Sequence, residues 1–143
     1  MKKTLFVVPP ALMAILLGMP RAASPKAPTV RIIISGGGLA SPIDVTDQRI
    51  LDSSNVWTGE FLDASRGTVK EPPPGLRRYE VSFYVKLGDN NVRKMYVAYY
   101  YPSPSTGQGF IYLPGRGETW HSLNVRTIIR DGRDGKWSFA SPA

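Results

Sequence analysis

The sequence contains no cysteine and only one histidine, His121. Without thiols the chain cannot form disulfides, use a thiolate nucleophile or hold a metal through sulfur. A single imidazole excludes a metal site with two or more histidines, and any serine triad would have to use His121. We therefore expect no metal and no cofactor, and a fold held together by core burial and backbone pairing.

The sequence also lacks a cluster of charged residues of one sign. The formal net charge of +7 falls to +4 without the first 23 residues, which hold Lys2, Lys3 and Arg21 and no acid. Beyond them, the only adjacent basic pairs are Arg77-Arg78 and Arg93-Lys94. Scattered charge of this kind argues against a nucleic-acid partner, although a mildly basic surface favours acidic glycans or anionic lipid head groups.

No apolar run of the sequence reaches the length that a membrane-spanning helix needs. The N-terminal run from Thr4 to Pro20 falls just short of the ~20 residues that a spanning helix needs, and two prolines interrupt it. It follows "MKK" and precedes the small residues of "RAASPKA", as in a secretory signal peptide. We expect residues 1–24 to direct export to the periplasm or the exterior, leaving 25–143 as one domain. No clear cleavage site is present, and membrane contact is expected only if the segment stays as an anchor.

The stretch "VRIIISGGGLASPIDVTDQRIL" has the general layout of a phosphate-binding loop. A dinucleotide fingerprint starting at Gly36 fails, because its sixth position is Ser41 and Pro42 follows. No lysine stands where a phosphate loop would need one. We therefore predict no nucleotide partner, a glycine turn between two extended segments, and a short helix capped by Thr46 or Asp47.

Alternation of apolar and polar residues predicts strands through most of the chain. In "YEVSFYVKL" the odd positions are apolar, and "GDNN" then turns the chain into "VRKMYVAYYY". Further strands are predicted in "TVRIIIS", "FIYLP", "TWHSLNVRTIIR" and "KWSFA". The predicted fold is mainly β: an antiparallel meander of about six strands, forming a small sandwich or open barrel with one short helix near the start.

The hairpin around "GDNN" can be given a register from its side-chain pattern. A three-residue loop that pairs Gly88 with Val92 sets Phe83 opposite Val97 and gathers the apolar residues on one face. Such a loop is a type I turn closed by a bulge, with Asn91 in the left-handed region.

In that register tyrosines share the second face of the hairpin. If this face is open to solvent, it is an aromatic platform suited to stacking on sugar rings or holding an extended chain. The alternative is that Trp57 and Phe61 cover the same face. The candidate ligand-binding residues are Tyr84, Tyr96, Tyr100 and Tyr112.

The segment "VWTGEFLDASRGTVKEPPPGLRR" separates the short helix from the meander. Its proline run, residues 72–74, cannot donate backbone hydrogen bonds, which predicts an extended connector rather than a strand. We expect Trp57, Phe61 and Leu62 to pack onto the sheet as a lid.

Several motifs occur in an order that resembles a known family. "RIIISGGGLASPIDVTDQRIL", "NVWTG", "EPPPGLRRYEVSFYVKL", "YVAYYYPSPSTGQGFIYLPGRGETWHSLN" and "GKWSFASPA" are similar, over nearly the whole predicted mature chain, to small exported bacterial proteins of unknown function. The resemblance implies an exported bacterial domain and assigns no catalytic residue or ligand.

Two functional hypotheses follow from these residues. The first is a non-catalytic envelope domain that binds a protein or a glycan through the tyrosines. The alternative is a small secreted hydrolase that uses His121 or a pair of carboxylates. Asp131 and Asp134 lack the spacing of a calcium loop and are interpreted as turn formers. The candidate carboxylates are Glu60, Glu71, Glu80 and Glu118.

Overall fold

The computed structural model describes residues 26–127 and 132–142. The predicted signal peptide and its cleavage point lie outside these residues. Among the described residues, neither helix has the length or the hydropathy to span a bilayer.

The described chain forms one antiparallel sheet of seven strands that does not close on itself, together with two short helices. This confirms the predicted mainly β, antiparallel fold class. The elements are β1 Thr29–Gly36, β2 Ile43–Val45, α1 Gln48–Asp52, β3 Thr68–Val69, β4 Tyr79–Lys86, β5 Val92–Tyr101, β6 Phe110–Tyr112, α2 His121–Thr127 and β7 Trp137–Phe139. The strand order across the sheet is β2-β1-β4-β5-β6-β7-β3, so β4 to β7 form a meander.

The three consecutive glycines connect β1 to the antiparallel strand β2, as predicted. Gly36, Gly37 and Gly38 all have positive φ, which side chains other than glycine rarely tolerate. The turn is closed by the Leu39 N–H, which donates to the carbonyl oxygen of Gly36 at 3.0 Å. Helix α1 then begins after Asp47, whose carboxylate accepts from the Arg49 N–H.

The predicted register of the β4-β5 hairpin is wrong. Phe83 lies opposite Tyr96 instead of Val97, and Tyr84 lies opposite Lys94. The reason is a bulge: Met95 is an extra residue in β5, so the residues that follow it, from Tyr96 onwards, lie on the opposite face from the one predicted.

The turn itself begins one residue earlier than predicted. The Leu87 N–H donates to the Asn91 carbonyl oxygen at 2.7 Å, and Gly88 supplies the positive φ of 110°. Asn91 is therefore not the left-handed residue. Among the residues that the structure describes, Trp120 is the only non-glycine residue with positive φ.

The strand predicted in "TWHSLNVRTIIR" is wrong where the structure describes it, because residues 121–127 form helix α2, while residues 128–130 and the predicted turn former Asp131 lie outside the described residues. Two polar side chains attach this helix to the sheet. Asn124 is fully buried and bonds the backbone of Val97 on β5, where β6 has already ended. His121 Nδ1 lies 3.1 Å from the carbonyl oxygen of Pro114. These tertiary bonds outweigh the strand preference of the β-branched residues in the segment.

The two faces of the sheet carry different residues. The inner face holds the hydrophobic core, and the segment between α1 and β3 packs onto it, with Leu62 buried and Trp57 and Phe61 partly buried. This confirms the predicted lid. The outer face carries Tyr84, the alternate residues of β5 and the aromatic residues of β6 and β7. The main inner-face residues are Ile32, Phe83, Val85, Tyr96, Ala98 and Ile111.

Candidate functional site

The structure does not bring the four predicted tyrosines together on one face. Tyr96 is fully buried in the core, where it neighbours Phe83, and Tyr100 packs against the same core. Tyr84 lies on the outer face between the cations of Arg31 and Lys94. Tyr112 is also on the outer face, on a different strand. The shared tyrosine platform was wrong because it depended on the register that the Met95 bulge alters.

A different set of aromatic residues does converge on the outer face. Tyr99 on β5 is paired with Tyr112 on β6, and Tyr112 is paired with Trp137 on β7. Tyr101 follows Tyr99 on the same face, and its ring centroid lies 4.6 Å from that of Trp137. With Arg78 and Glu118 these four residues line a cavity of about 570 Å³, which we call the aromatic groove.

Charged groups of both signs border the aromatic groove. The guanidinium of Arg78 lies 4.9 Å from the ring centroid of Tyr99, within the range of a cation–π contact. Glu118 is held on the other side, because it accepts from the Tyr112 hydroxyl at 2.9 Å and from the Gly115 N–H. The groove therefore offers a fixed carboxylate and an exposed guanidinium beside aromatic rings.

The Tyr112 hydroxyl is held in its neutral form. Burial, together with the hydrogen bond to Glu118 and the charge of that carboxylate, raises the pKa of Tyr112 to about 12, above the usual value of about 10. Burial also raises the pKa of Tyr99 and of Tyr101. These phenols thus remain hydrogen-bond donors over the whole physiological range.

These pKa values predict how stability depends on pH. Because the pKa of Tyr112 is higher in the folded state than in the unfolded state, the protonated hydroxyl stabilises the fold below pH about 10. That contribution is lost as the pH rises through about 12. Glu118→Gln should lower the pKa of Tyr112 but leave it above 10, because burial remains. Tyrosinate absorbance and NMR titration of the two proteins measure this change, and an unchanged pKa in the variant would contradict the assigned contact.

A second, smaller cavity of about 200 Å³ adjoins the aromatic groove. Residues 72–74, the proline run, form one side of it, and Leu76 contributes to the lining. Tyr101 and Trp137 line both cavities, so the two adjoin at these side chains. An extended ligand can therefore lie across Trp137, from Glu118 on one side to the proline run on the other.

The candidate catalytic residues are not grouped in a single site, although the charges of Glu80 and Glu118 both act on Tyr99. Glu80 accepts from the Trp120 indole N–H at 3.1 Å, and Glu71 lines the smaller cavity. Glu60 lines a cavity on the inner face of the sheet. His121 is half-buried and faces the Pro114 carbonyl oxygen. Within residues 26–127 and 132–142, no three acidic or histidine side chains are grouped as metal ligands.

The sequence did contain a signal for the aromatic groove. Tyr99, Tyr100 and Tyr101 are consecutive, and neighbouring residues of a strand point to opposite faces. Whatever the register, at least one face of β5 must therefore carry two tyrosines. The missing information was that Trp137 on β7 would lie beside Tyr112, which depends on the pairing of β6 with β7.

No protein-family model, curated protein or solved structure matches this chain. The resemblance to small exported bacterial proteins therefore stays a prediction from the motifs.

Proposed function

We propose that this protein is a non-catalytic binding domain of the cell envelope, and that the aromatic groove binds a glycan chain. The observation that carries the proposal is the convergence of Tyr99, Tyr101, Tyr112 and Trp137 from three neighbouring strands on one open cavity. Aromatic rings pack against the apolar faces of sugar rings, while tyrosine hydroxyls and an indole N–H bond the sugar hydroxyls.

The shape of the groove favours a chain of sugars over a single sugar. The larger and the smaller cavity, of about 570 and 200 Å³, share Tyr101 and Trp137. Strand residues position the rings, so little conformational entropy is lost when a ligand binds. Predicted export would bring the domain to a compartment where such glycans occur.

The polar residues of the groove favour binding over hydrolysis. Glu118 already accepts hydrogen bonds from Tyr112 and Gly115, which fix its orientation. Arg78 is exposed and is the cation available for an acidic group or a hydroxyl of the ligand. This arrangement supports recognition of a glycan that carries acidic groups along with its hydroxyls.

Binding to an array of envelope glycans tests the proposal. We expect Trp137→Ala to weaken binding about tenfold or more, because large aromatic side chains at the centre of an interface carry much of its free energy. Arg78→Ala, a change of an exposed side chain, should weaken binding to acidic glycans most strongly. Calorimetry with the selected glycan measures both effects.

Tyr84→Ala is the matched control. Tyr84 is a partly buried tyrosine of the same sheet face, but it lies outside the groove, beside Arg31 and Lys94. We expect this variant to bind as the parent does. Equal losses in Tyr84→Ala and in a folded Trp137→Ala protein would contradict the proposal, as would an absence of binding to every glycan.

A further inference from the structure

The inner face of the sheet and the segment that covers it enclose a trough. Leu62 forms an antiparallel bridge with Ala140, beyond the end of β7. Neighbouring backbone bonds extend this contact, since the Ser141 N–H donates to the Phe61 carbonyl oxygen at 3.0 Å. The bridge places the Phe61 ring over the sheet, with its centroid 5.1 Å from that of Phe83.

Three aromatic rings pack together in the trough. Phe61, Phe83 and Tyr96 have ring centroids 5.1 to 6.3 Å apart, so they fill the space between the sheet and its cover. Beyond these rings the trough contains a cavity of about 510 Å³, within the usual size range of small-molecule sites.

The walls of this cavity are mostly apolar. Partly buried side chains of β1 and β4, including Ile34 and Val81, face it, and Ile50 of α1 stands at its mouth with 49% of its surface exposed. Leaving apolar side chains half covered costs free energy that an apolar ligand would recover. The principal apolar lining residues are Ile32, Ile34, Val81, Phe83, Tyr100 and Ile111.

The few polar groups of the cavity have a definite charge. Glu60 is the only charged side chain among the described residues that line it, and Ser53, Ser54 and Ser141 are the remaining polar ones apart from Tyr100. An anionic head group beside Glu60 would be repelled, whereas an ammonium group would be attracted. Glu60 is exposed, so the attraction is that of a surface ion pair.

We propose that this trough binds a single alkyl chain with a cationic head group. The chain lies between the sheet and α1 along the apolar lining, and the head group lies beside Glu60. The site is on the opposite face of the sheet from the aromatic groove. It shares no lining residue with that groove.

Displacement of an uncharged fluorescent probe, N-phenylnaphthylamine, tests this site in the purified exported chain. Dodecylammonium and dodecanoate, each below its critical micelle concentration at neutral pH, serve as competitors of equal chain length. We expect dodecylammonium to bind about threefold more tightly than dodecanoate, the size expected of an exposed ion pair. Glu60→Gln should abolish that preference while leaving probe binding intact.

Two isoleucines of similar exposure provide a matched pair of variants. Ile50→Lys places a cation at the mouth of the cavity, and should weaken dodecylammonium binding about fivefold through repulsion and lost contact. Ile43→Lys introduces the same change at a residue with 46% exposure outside the cavity lining, and should have no effect. Failure of the probe to bind, equal effects of the two lysines, or tighter binding of dodecanoate would each overturn the proposal.

Discussion

Replacing Asn124 by leucine is expected to lower the free energy of unfolding by about 4 kcal/mol. The amide of Asn124 accepts from the Val97 N–H at 2.9 Å and donates to the Val97 carbonyl oxygen at 2.7 Å, and the side chain is fully buried. Leucine has a similar volume but leaves both backbone groups unpaired, at about 1–3 kcal/mol each. Urea unfolding followed by circular dichroism measures the difference.

The structure explains why an amide is needed at this position. β6 ends at Tyr112, and continuing its pairing with β5 would set Pro114, which has no N–H, opposite Val97. Asn124 therefore supplies the donor and the acceptor that a longer strand would have provided. Asn90→Ala, at an exposed turn residue, is the control and should change stability by less than about 0.5 kcal/mol. Equal stabilities of the Asn124 variant and the parent would contradict this role.

Phe83→Ala is expected to cost about 3 to 5 kcal/mol of stability. Phe83 is 3% exposed and packs between Phe61 and Tyr96, so its removal leaves a cavity that the neighbouring side chains cannot readily fill. Thermal and urea unfolding both report the loss.

Val92→Ala is the comparison for this core substitution. Val92 is also an apolar strand residue, but 48% of its surface is exposed at the start of β5. Its truncation should cost less than about 1 kcal/mol, because little apolar surface returns to water. Similar losses for the two variants would show that the aromatic rings do not form the centre of the core.

The fold class could be predicted because it depends on local alternation. Strands β4 and β7 show a period of two, β1 contains a short apolar run, and the glycines at Gly36–Gly38 predict a turn. These patterns do not depend on how the strands are paired. A mainly β, antiparallel domain follows from them alone.

The register could not be predicted because β5 carries too little polar contrast. Its second half, "YVAYYY", has no charged residue, so a shift by one position costs nothing in the pattern. In the structure, the bulge at Met95 determines which residues of β5 face the core, and no pattern in the composition indicates a bulge there. Helix α2 was missed for a related reason, since its identity depends on the bonds of Asn124 to a strand far away in sequence.

The prediction of the candidate site was affected by the same error in register. Of the four tyrosines that the sequence suggested, only Tyr112 lies in the aromatic groove. Tyr99 and Tyr101 share a face with it through the pairing of β5 with β6, and Trp137 through the pairing of β6 with β7. Side-chain type was therefore a better guide to the candidate site than the predicted positions.

Two of the three tryptophans of the chain allow the most direct test of the glycan-binding proposal. Trp137 lines the groove, whereas the Trp57 indole bonds the Ala27 carbonyl oxygen at 2.7 Å in the cover of the inner face. Their indole N–H signals, followed by two-dimensional NMR while envelope glycan fragments are added, report which face is occupied. The proposal predicts a saturable shift of the Trp137 signal with Trp57 unchanged. A shift confined to Trp57, or no shift of Trp137 at saturating glycan, would contradict it.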